Sequence, residues 1–450
     1  MRLSIFGLGH VGLTLAACLA GSGFQVLGYD VDEEKTHIIS NGRAPFYEPR
    51  LDILIGKAIS SKRLRLVSDP EEAILDSDIT FITVGTPEKS DGSVDLAYVN
   101  NALKSIGSAL NRKKEYHLVV LRSTVPPGTS REAVKTLEKI SGKKGGEDFG
   151  FCFNPEFLRE GNAVQDTLHP DRIIIGELDE KSGNLLEDFY KRFHSSKTPP
   201  ILRTTLENAE LIKYAANAFL AMKVSFINMI AKLCEKIPNA DVEVVARGIG
   251  LDKRIGAHFL KAGLGFGGSC FPKDLKALLA YARRLNVRLP LVEATLEINE
   301  DQPLRAVQLT EELLGDLKGK RIAILGLAFK PNTNDMRNAV SIKLINELLK
   351  RNAIVLAYDP AAVENAKKIF GNRIEYAKSA RECLREAEAA IIVTEWDEFK
   401  QLTPDDFIKC MKNPIVIDGR RIFDAEQFSR KLTYKAIGLG QQSLVQETST

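Results

Sequence analysis

The stretch RLSIFGLGHVGLTLAACLAGSGFQVLGYD, residues 2–30, decides the fold. Its apolar start, RLSIFG, reads as a short strand. GHVGLTLAACLAGSG then reads as a helix closed by glycine, and QVLGYDVD as a second strand with an acid at its end. Strand, glycine loop, helix, strand is a βαβ unit. Gly7, Gly9 and Gly12 stand at GxGxxG spacing. The first glycine permits the turn, the second lets backbone approach a pyrophosphate, and the third allows helix to pack on strand. Free N–H groups and the dipole at the helix start favour the phosphates. Asp30 closes the second strand eighteen residues after Gly12. A carboxylate there hydrogen-bonds a ribose 2′-OH and repels a 2′-phosphate, so the expected cofactor is NAD rather than NADP.

Further short apolar runs follow: ITFITVGTP (79–87), HLVVLRSTV (117–125) and DRIIIGE (171–177), with helical stretches between them. That alternation predicts a parallel sheet covered on both faces. Near residue 203 the pattern changes. TTLENAELIKYAANAFLAMKVSFINMIAKLCEKI (204–237) reads as one long helix, with Thr204 and Glu207 as a capping box. Its middle is apolar on more than one face, which predicts burial between domains or subunits. More helix is expected to about residue 316. GKRIAILGLAFKPNTND (319–335) opens a second α/β block, continued by AIVLAYDP, AEAAIIVTEWDEF and NPIVIDGRRIF. The two blocks share a pattern without a sequence repeat. The expected fold class is α/β, with two Rossmann-like doubly wound domains joined by a long central helix. The expected boundaries are 1–202 for NAD binding, 203–316 for a helical dimerisation domain and 317–450 for the second Rossmann-like domain. The polar end, GQQSLVQETST, is expected to fray.

A chain of 450 residues exceeds a single core. Its 44% hydrophobic and 27% charged content is ordinary for a globular protein. A net charge of +3 with no basic run excludes the usual nucleic-acid footprint. The six cysteines are scattered without a CxxC pair, so neither zinc-site spacing nor a dense disulfide framework is present. The start shows no cleavable signal pattern, and no apolar run approaches the length needed to cross a bilayer. These features predict a cytoplasmic protein with reduced thiols, no membrane partner and no metal.

GFGGSCFPKD, residues 265–274, crowds small residues around Cys270 and follows it with Lys273 and Asp274. Moving one hydride needs no cysteine. Oxidising an aldehyde further does: a thiolate adds to it, the thiohemiacetal loses hydride, and water releases the acid from the thioester. Lys273 and loop N–H groups could lower the thiol pKa, and Asp274 could orient water. By loop chemistry alone, Cys270 is equally well a small buried residue in a glycine turn.

Together with VGTP (84–87), STVPPGT (123–129), NPEFLREGNAVQD (154–166), KYAANAF (213–219), GLAFKPNTNDMR (326–337) and DGRR (418–421), this loop resembles the motifs of the UDP-glucose/GDP-mannose dehydrogenase family, in family order along the whole chain. The resemblance implies oxidation of a nucleotide-sugar C6 alcohol to a carboxylate with two NAD molecules per turnover. It implies Cys270 as nucleophile, with Lys213, Asn217, Asp274, Glu156 and Thr124 as further catalytic groups. Lys213 and Asn217 lie four apart and so share a helix face. An amine there stabilises a developing alkoxide, although a lysine is ordinarily a surface residue. The resemblance implies that Glu156 serves in thioester hydrolysis, although loop acids are ordinarily solvated. It places Glu160 near the nicotinamide, and Thr124 with Asp274 on the catalytic water. The first proton goes either to a water held by Asp274 or to Lys213 itself.

For the cofactor the resemblance implies Gly7, Gly9, Val11, Gly12, Asp30, Lys35, Thr86, Thr124, Glu160, Lys273 and Arg337. For the nucleotide sugar it implies Glu156, Phe157, Leu158, Lys213, Asn217, Arg254, Phe266, Gly267, Lys330 and Arg420. A cofactor cleft at a domain junction follows from the same pattern. Within the family, UDP-glucose is the expected substrate, GDP-mannose the closest alternative, and a UDP-N-acetyl-hexosamine the more distant one. A homo-oligomer, at least a dimer, is expected. Three positions depart from the family pattern: His10 where Tyr is common, Arg50 where Gly is common, and Asn338 where an acid is usual.

Overall fold

The computed structural model describes residues 1–441, in two compact units. The first comprises residues 1–216 and 276–286, the second 217–275 and 287 onward. The polar end from 442 lies outside the described residues.

The first unit is built on an eight-stranded sheet: β1 Arg2–Phe6, β2 Gln25–Tyr29, β3 Leu64–Leu66, β4 Ile79–Ile82, β5 His117–Leu121, β6 Phe149–Phe153, β7 Ile173–Glu177 and β8 Ile201–Thr205. The spatial order is β3-β2-β1-β4-β5-β6-β7-β8. The order reverses between β1 and β4, which is where a doubly wound sheet holds its ligand. Strand residues alternate between two cores, so Leu3 and Ile5 join the cluster under the helix His10–Gly21 while Phe6 joins the opposite one. One expectation fails: β6 and β7 are antiparallel, with Phe153 opposite Gly176. Their connection, residues 154–172, contains one six-residue helix, Ala163–Leu168. It returns the chain to the same end of the sheet instead of crossing its face.

The second unit carries a six-stranded, wholly parallel sheet: β9 Arg321–Leu325, β10 Ile354–Tyr358, β11 Glu375–Tyr376, β12 Ala389–Ile392, β13 Ile415–Asp418 and β14 Thr433–Ala436. Its order, β11-β10-β9-β12-β13-β14, has its own switch point between β9 and β12. Here too alternation sorts the core, with Ile322 and Ile324 on one side and Ala323 and Leu325 on the other.

The long helix runs from Leu206 to Cys234, starting later than expected. Thr204 is held in β8 opposite Gly176, so it cannot cap. Thr205 Oγ1 accepts from Asn208 N–H at 3.3 Å instead, and Thr204 Oγ1 takes the Asn208 side chain at 3.0 Å. By length and composition this helix could cross a membrane. Its buried polar and charged residues Glu210, Lys213, Asn217 and Asn228 are instead matched to partners inside their own units.

Under the first sheet, His117 is fully buried. Its Nδ1 donates to the Ser77 carbonyl at 3.1 Å, which leaves Nε2 to accept from Thr80 Oγ1 at 2.7 Å. Burial pushes its pKa down to about 3. The unfolded chain, with a histidine pKa near 6.5, binds the proton first. Stability is therefore full above pH 6.5 and lost as pH falls toward 3. Denaturant unfolding at pH 6.5 and 5.5 is expected to differ by about 1 kcal/mol from this group. His117→Asn is expected to flatten that slope.

Candidate active site

In the first unit, Gly7 turns the chain out of β1 with a left-handed φ of +92°. A Cβ on Gly12 would stand 1.9 Å from the Gly7 carbonyl oxygen and 2.4 Å from Thr83 Oγ1. One on Gly9 would meet nothing within 4 Å. The two glycines therefore have different reasons to be there: Gly12 for packing, Gly9 for open space above the helix start. That helix has no side-chain cap and no acid in its first turn, which includes Val11, so its leading N–H groups are left for an anion. Asp30 receives Leu8 N–H at 2.6 Å and Asp32 N–H at 3.0 Å, and Lys35 Nζ lies 2.9 Å from it. The two backbone bonds fix the carboxylate at the end of β2. Lys35, on a flexible stem, is the donor a ribose hydroxyl can displace. These residues fit a dinucleotide.

The contrast gives a prediction. Gly12→Ala is expected to cost about 1–3 kcal/mol of stability through overpacking. Gly9 sits at φ −76°, so Gly9→Ala is expected to keep the melting temperature while raising the KM for NAD at least about tenfold. Thermal melts and NAD titrations of the two variants check both.

Thr86 is half-buried in the loop after β4, and Thr124 is half-buried in the loop after β5. That second loop is tied down by Ser123 Oγ, which donates to Val84 O at 2.7 Å, and by Glu210, whose carboxylate accepts the N–H groups of Gly128 and Ser130 at 2.7 Å each. Glu156 and Lys213 are buried, at 6% and 3% exposure. Lys213 Nζ donates to Glu156 O at 2.6 Å and to Oε1 at 3.1 Å, while Glu156 Oε2 accepts Leu158 N–H at 2.8 Å. The ordinary readings of both residues, as a surface lysine and a solvated acid, are therefore excluded. Phe157 lies beneath two cations, with Arg172 3.9 Å and Lys213 5.2 Å from its ring centre. Sequence reasoning missed Glu48. Its buried carboxylate takes Gly161 N–H at 2.7 Å and Ala163 N–H at 2.8 Å, pinning the loop just past Glu160. Two of the departures are also explained here. Arg50 adopts φ +68°, the conformation that favours glycine. His10 stacks on Phe46 at 3.7 Å.

In the second unit, Cys270 is exposed and immediately precedes the helix Phe271–Arg284. Its carbonyl accepts Asp274 N–H at 2.8 Å, the helix's first i→i+4 bond. The sulfur thus stands at the positive end of a helix dipole. Ser269 Oγ lies 3.6 Å from it. Asp274 is 2% exposed. Asn217 Nδ2 donates to its Oδ2 at 2.7 Å and Lys273 Nζ to its Oδ1 at 2.6 Å. Asn217, Lys273 and Asp274 therefore form one cluster a single helical turn from the cysteine. Phe266 meets Phe271 edge-on at 5.7 Å, and Gly267 packs under Asn338. Arg420 is buried, gives Nε to Val393 O at 2.6 Å and Nη1 to Gly265 O at 3.2 Å, and so reaches the same loop. Lys330 Nζ lies 5.4 Å over the Phe329 ring after β9. Arg337 pairs with Asp335 at 2.6 Å. Arg254 is set apart from this cluster: its side chain is 89% exposed and its ion pair is with Asp252, two residues away.

The second sheet repeats the first turn's geometry. Gly326, at φ +103°, donates to Tyr358 O as Gly7 does to Tyr29 O. Asp359 stands where Asp30 stands, but Leu327, Ala328, Ala361 and Ala362 N–H and Trp396 Nε1 all donate to it. That carboxylate is consumed inside the fold.

Family models match the chain in the same order as these features. The UDP-glucose/GDP-mannose dehydrogenase NAD-binding domain matches residues 1–194, the central domain 207–301 and the UDP-binding domain 323–425. The chain belongs to the UDP-glucose/GDP-mannose dehydrogenase family. It is 46% identical to the UDP-glucose 6-dehydrogenase AglM of Haloferax volcanii, over 94% of this chain and 97% of that protein. It is 43% identical to the UDP-glucose 6-dehydrogenase TuaD of Bacillus subtilis, over 97% and 93%. The solved UDP-glucose dehydrogenase of Pyrobaculum islandicum superposes with a TM-score of 0.89 at 40% identity, covering 97% of this chain and 98% of that one. As a family member the chain has an NAD-binding N-terminal domain, a long central helix and a UDP-binding C-terminal domain. Its cofactor is NAD.

Proposed function

We propose that the protein oxidises the C6 alcohol of UDP-glucose to the carboxylate of UDP-glucuronate. NAD, when bound, supplies the hydride acceptor for each of two oxidations. In the first, the C6 hydroxyl loses a hydride and a proton to give the aldehyde. Lys213 stabilises the oxygen as its charge develops, with Asn217 hydrogen-bonding it. The Cys270 thiolate then adds to the aldehyde carbon, and the resulting thiohemiacetal loses the second hydride and its proton to give a thioester. A water oriented by Asp274 and Thr124, with Glu156 moving its proton, cleaves the C–S bond and returns the thiol.

The single observation that carries this reading is the cluster beside Cys270: a cysteine at a helix start, one turn from a buried Asp274 held by Asn217 and Lys273. An exposed thiol in a structural turn would need none of it. Arg420, Lys330, Phe266 and Gly267 are assigned to the UDP-sugar, with the backbone of Phe157 and Leu158, and Arg254 to a phosphate or sugar oxygen. Glu160, Lys273, Arg337 and Thr86 are assigned to the cofactor with the glycines, Asp30 and Lys35. Residues 1–202 are assigned to NAD binding, 203–316 to dimerisation and 317–450 to the UDP-sugar. Exposed Phe219, Phe226, Met229 and Leu233 make one stripe along the central helix, which fits packing against a second copy. A cytoplasmic setting is consistent with an exposed, reduced catalytic thiol.

The substrate is tested by NADH production with UDP-glucose, GDP-mannose and UDP-N-acetylmannosamine at equal concentration. Preference for UDP-glucose by at least about a hundredfold in kcat/KM is expected. Comparable turnover of GDP-mannose would overturn the substrate while leaving the chemistry.

A further inference from the structure

The glycines before Cys270 bring its loop hard against the second unit's own residues. Gly265 and Gly268 are left-handed, at φ +100° and +84°. A Cβ on Gly265 would stand 2.7 Å from Asn299 Oδ1, one on Gly267 2.3 Å from Asn338 O, and one on Gly268 2.8 Å from the Phe329 ring. This approach is used for hydrogen bonds. Phe266 gives its N–H to Asn299 Oδ1 at 2.7 Å and accepts Asn299 Nδ2 at 2.9 Å. Asn299 thus bonds the peptide as a neighbouring strand would. Gly268 gives its N–H to Arg337 O at 2.9 Å and accepts Asn338 Nδ2 at 3.2 Å. Two loop residues, four and two before the nucleophile, are therefore held through both N–H and C=O.

We propose that Asn299 and Asn338 are positioning residues that fix the loop carrying Cys270 for attack on the C6 aldehyde. The inference rests on Cys270 being the nucleophile. Attack on a carbonyl demands the sulfur within roughly 3–3.5 Å and in line, and a misplacement of about 1 Å costs on the order of a hundredfold. At 299 a side-chain amide donates and accepts at once, and at 338 its N–H group donates to Gly268 O while the Arg337 carbonyl takes the Gly268 N–H. A carboxylate at 338 has no N–H to give and would set an oxygen against Gly268 O. Asn338 also adopts φ +50°, which glycine takes without strain.

Three variants test this: Asn338→Gly, which removes only the side chain; Asn338→Asp; and Asn299→Asp, which keeps the acceptor for Phe266 N–H and loses the donor. Each is measured for kcat and KM with UDP-glucose, and for hydrogen exchange of the peptide spanning residues 263–271. The expected result is exchange at least about fivefold faster and kcat at least about tenfold lower in all three. For the two 338 variants the KM for UDP-glucose stays within about twofold. Wild-type kcat in the 338 variants overturns the proposal, and so does a fall in kcat with unchanged exchange. Cys270→Ser is run alongside. If it keeps wild-type kcat, the nucleophile assignment fails, and the exchange rates then judge the loop anchoring alone.

Discussion

Cys270→Ser is expected to lower kcat for UDP-glucose oxidation about 10³-fold or more, with the melting temperature unchanged. The side chain is exposed, and serine nearly matches cysteine in size, so the exchange opens no cavity. A serine hydroxyl at the same place is a far weaker nucleophile, because an alcohol holds its proton far more tightly than a thiol does and its oxygen is less nucleophilic than sulfur. The start of the helix Phe271–Arg284 stabilises an anion on sulfur, and the same dipole is far too weak to ionise an alkoxide. A loss of this size is the usual result of deleting a group that forms the covalent intermediate. Steady-state kinetics and a thermal melt of the purified variant check both halves.

The second large effect is at Lys213. Lys213→Ala is expected to cost about 3–5 kcal/mol of stability, because it leaves the Glu156 carboxylate buried without its cation. The pair is closed on both sides, with side-chain exposures of 4% and 8% and an N–O distance of 3.1 Å. The same variant is expected to lose about 10²–10⁴-fold in kcat. Instability and lost chemistry can be separated. The double variant Lys213→Met/Glu156→Gln replaces both charges, and the glutamine oxygen still accepts Leu158 N–H, as Glu156 Oε2 does. Its stability is expected to return most of the way to wild type in denaturant unfolding. Its activity is expected to stay lost, as both groups proposed to act in the chemistry are gone.

Features with short-range signatures were legible in the sequence. The GxGxxG turn and Asp30 are local patterns, and the structure puts the turn after β1 and the acid at the end of β2; Lys213 and Asn217 stand four apart in one helix. The strand at Phe149–Phe153, FGFCF, was not picked out. It is buried on both faces, so it lacks the alternation that marks a half-buried strand. The three-residue strand Leu64–Leu66 and the two-residue strand Glu375–Tyr376 are too short to carry a period. The reversal between β6 and β7 had no signature either, because strand direction is set by where the connecting loop returns. The long helix began at Leu206 because pairing in β8 outweighed the Thr204 capping signal.

Within the candidate site, the residues proposed to do the chemistry were legible and those that hold them were not. Glu48 acts on Gly161 and Ala163 across 113 and 115 positions. Asn299 and Asn338 reach the cysteine loop across 33 and 70. A buried carboxylate or amide that satisfies distant backbone looks, in sequence, like any loop acid or helix asparagine. Asn338 was noticed only as a departure from the family pattern, and its donor role comes from the folded geometry. Arg420 was named from the family resemblance alone; its burial and its bond to Gly265 come from the folded geometry.

The central claim is the four-electron route through Cys270, and the ratio of NADH formed to UDP-glucose consumed tests it most directly. The account predicts two NADH per sugar at completion, with UDP-glucuronate as the product. One NADH per sugar, with the aldehyde accumulating, would contradict it and leave the glycine-rich loop a structural turn.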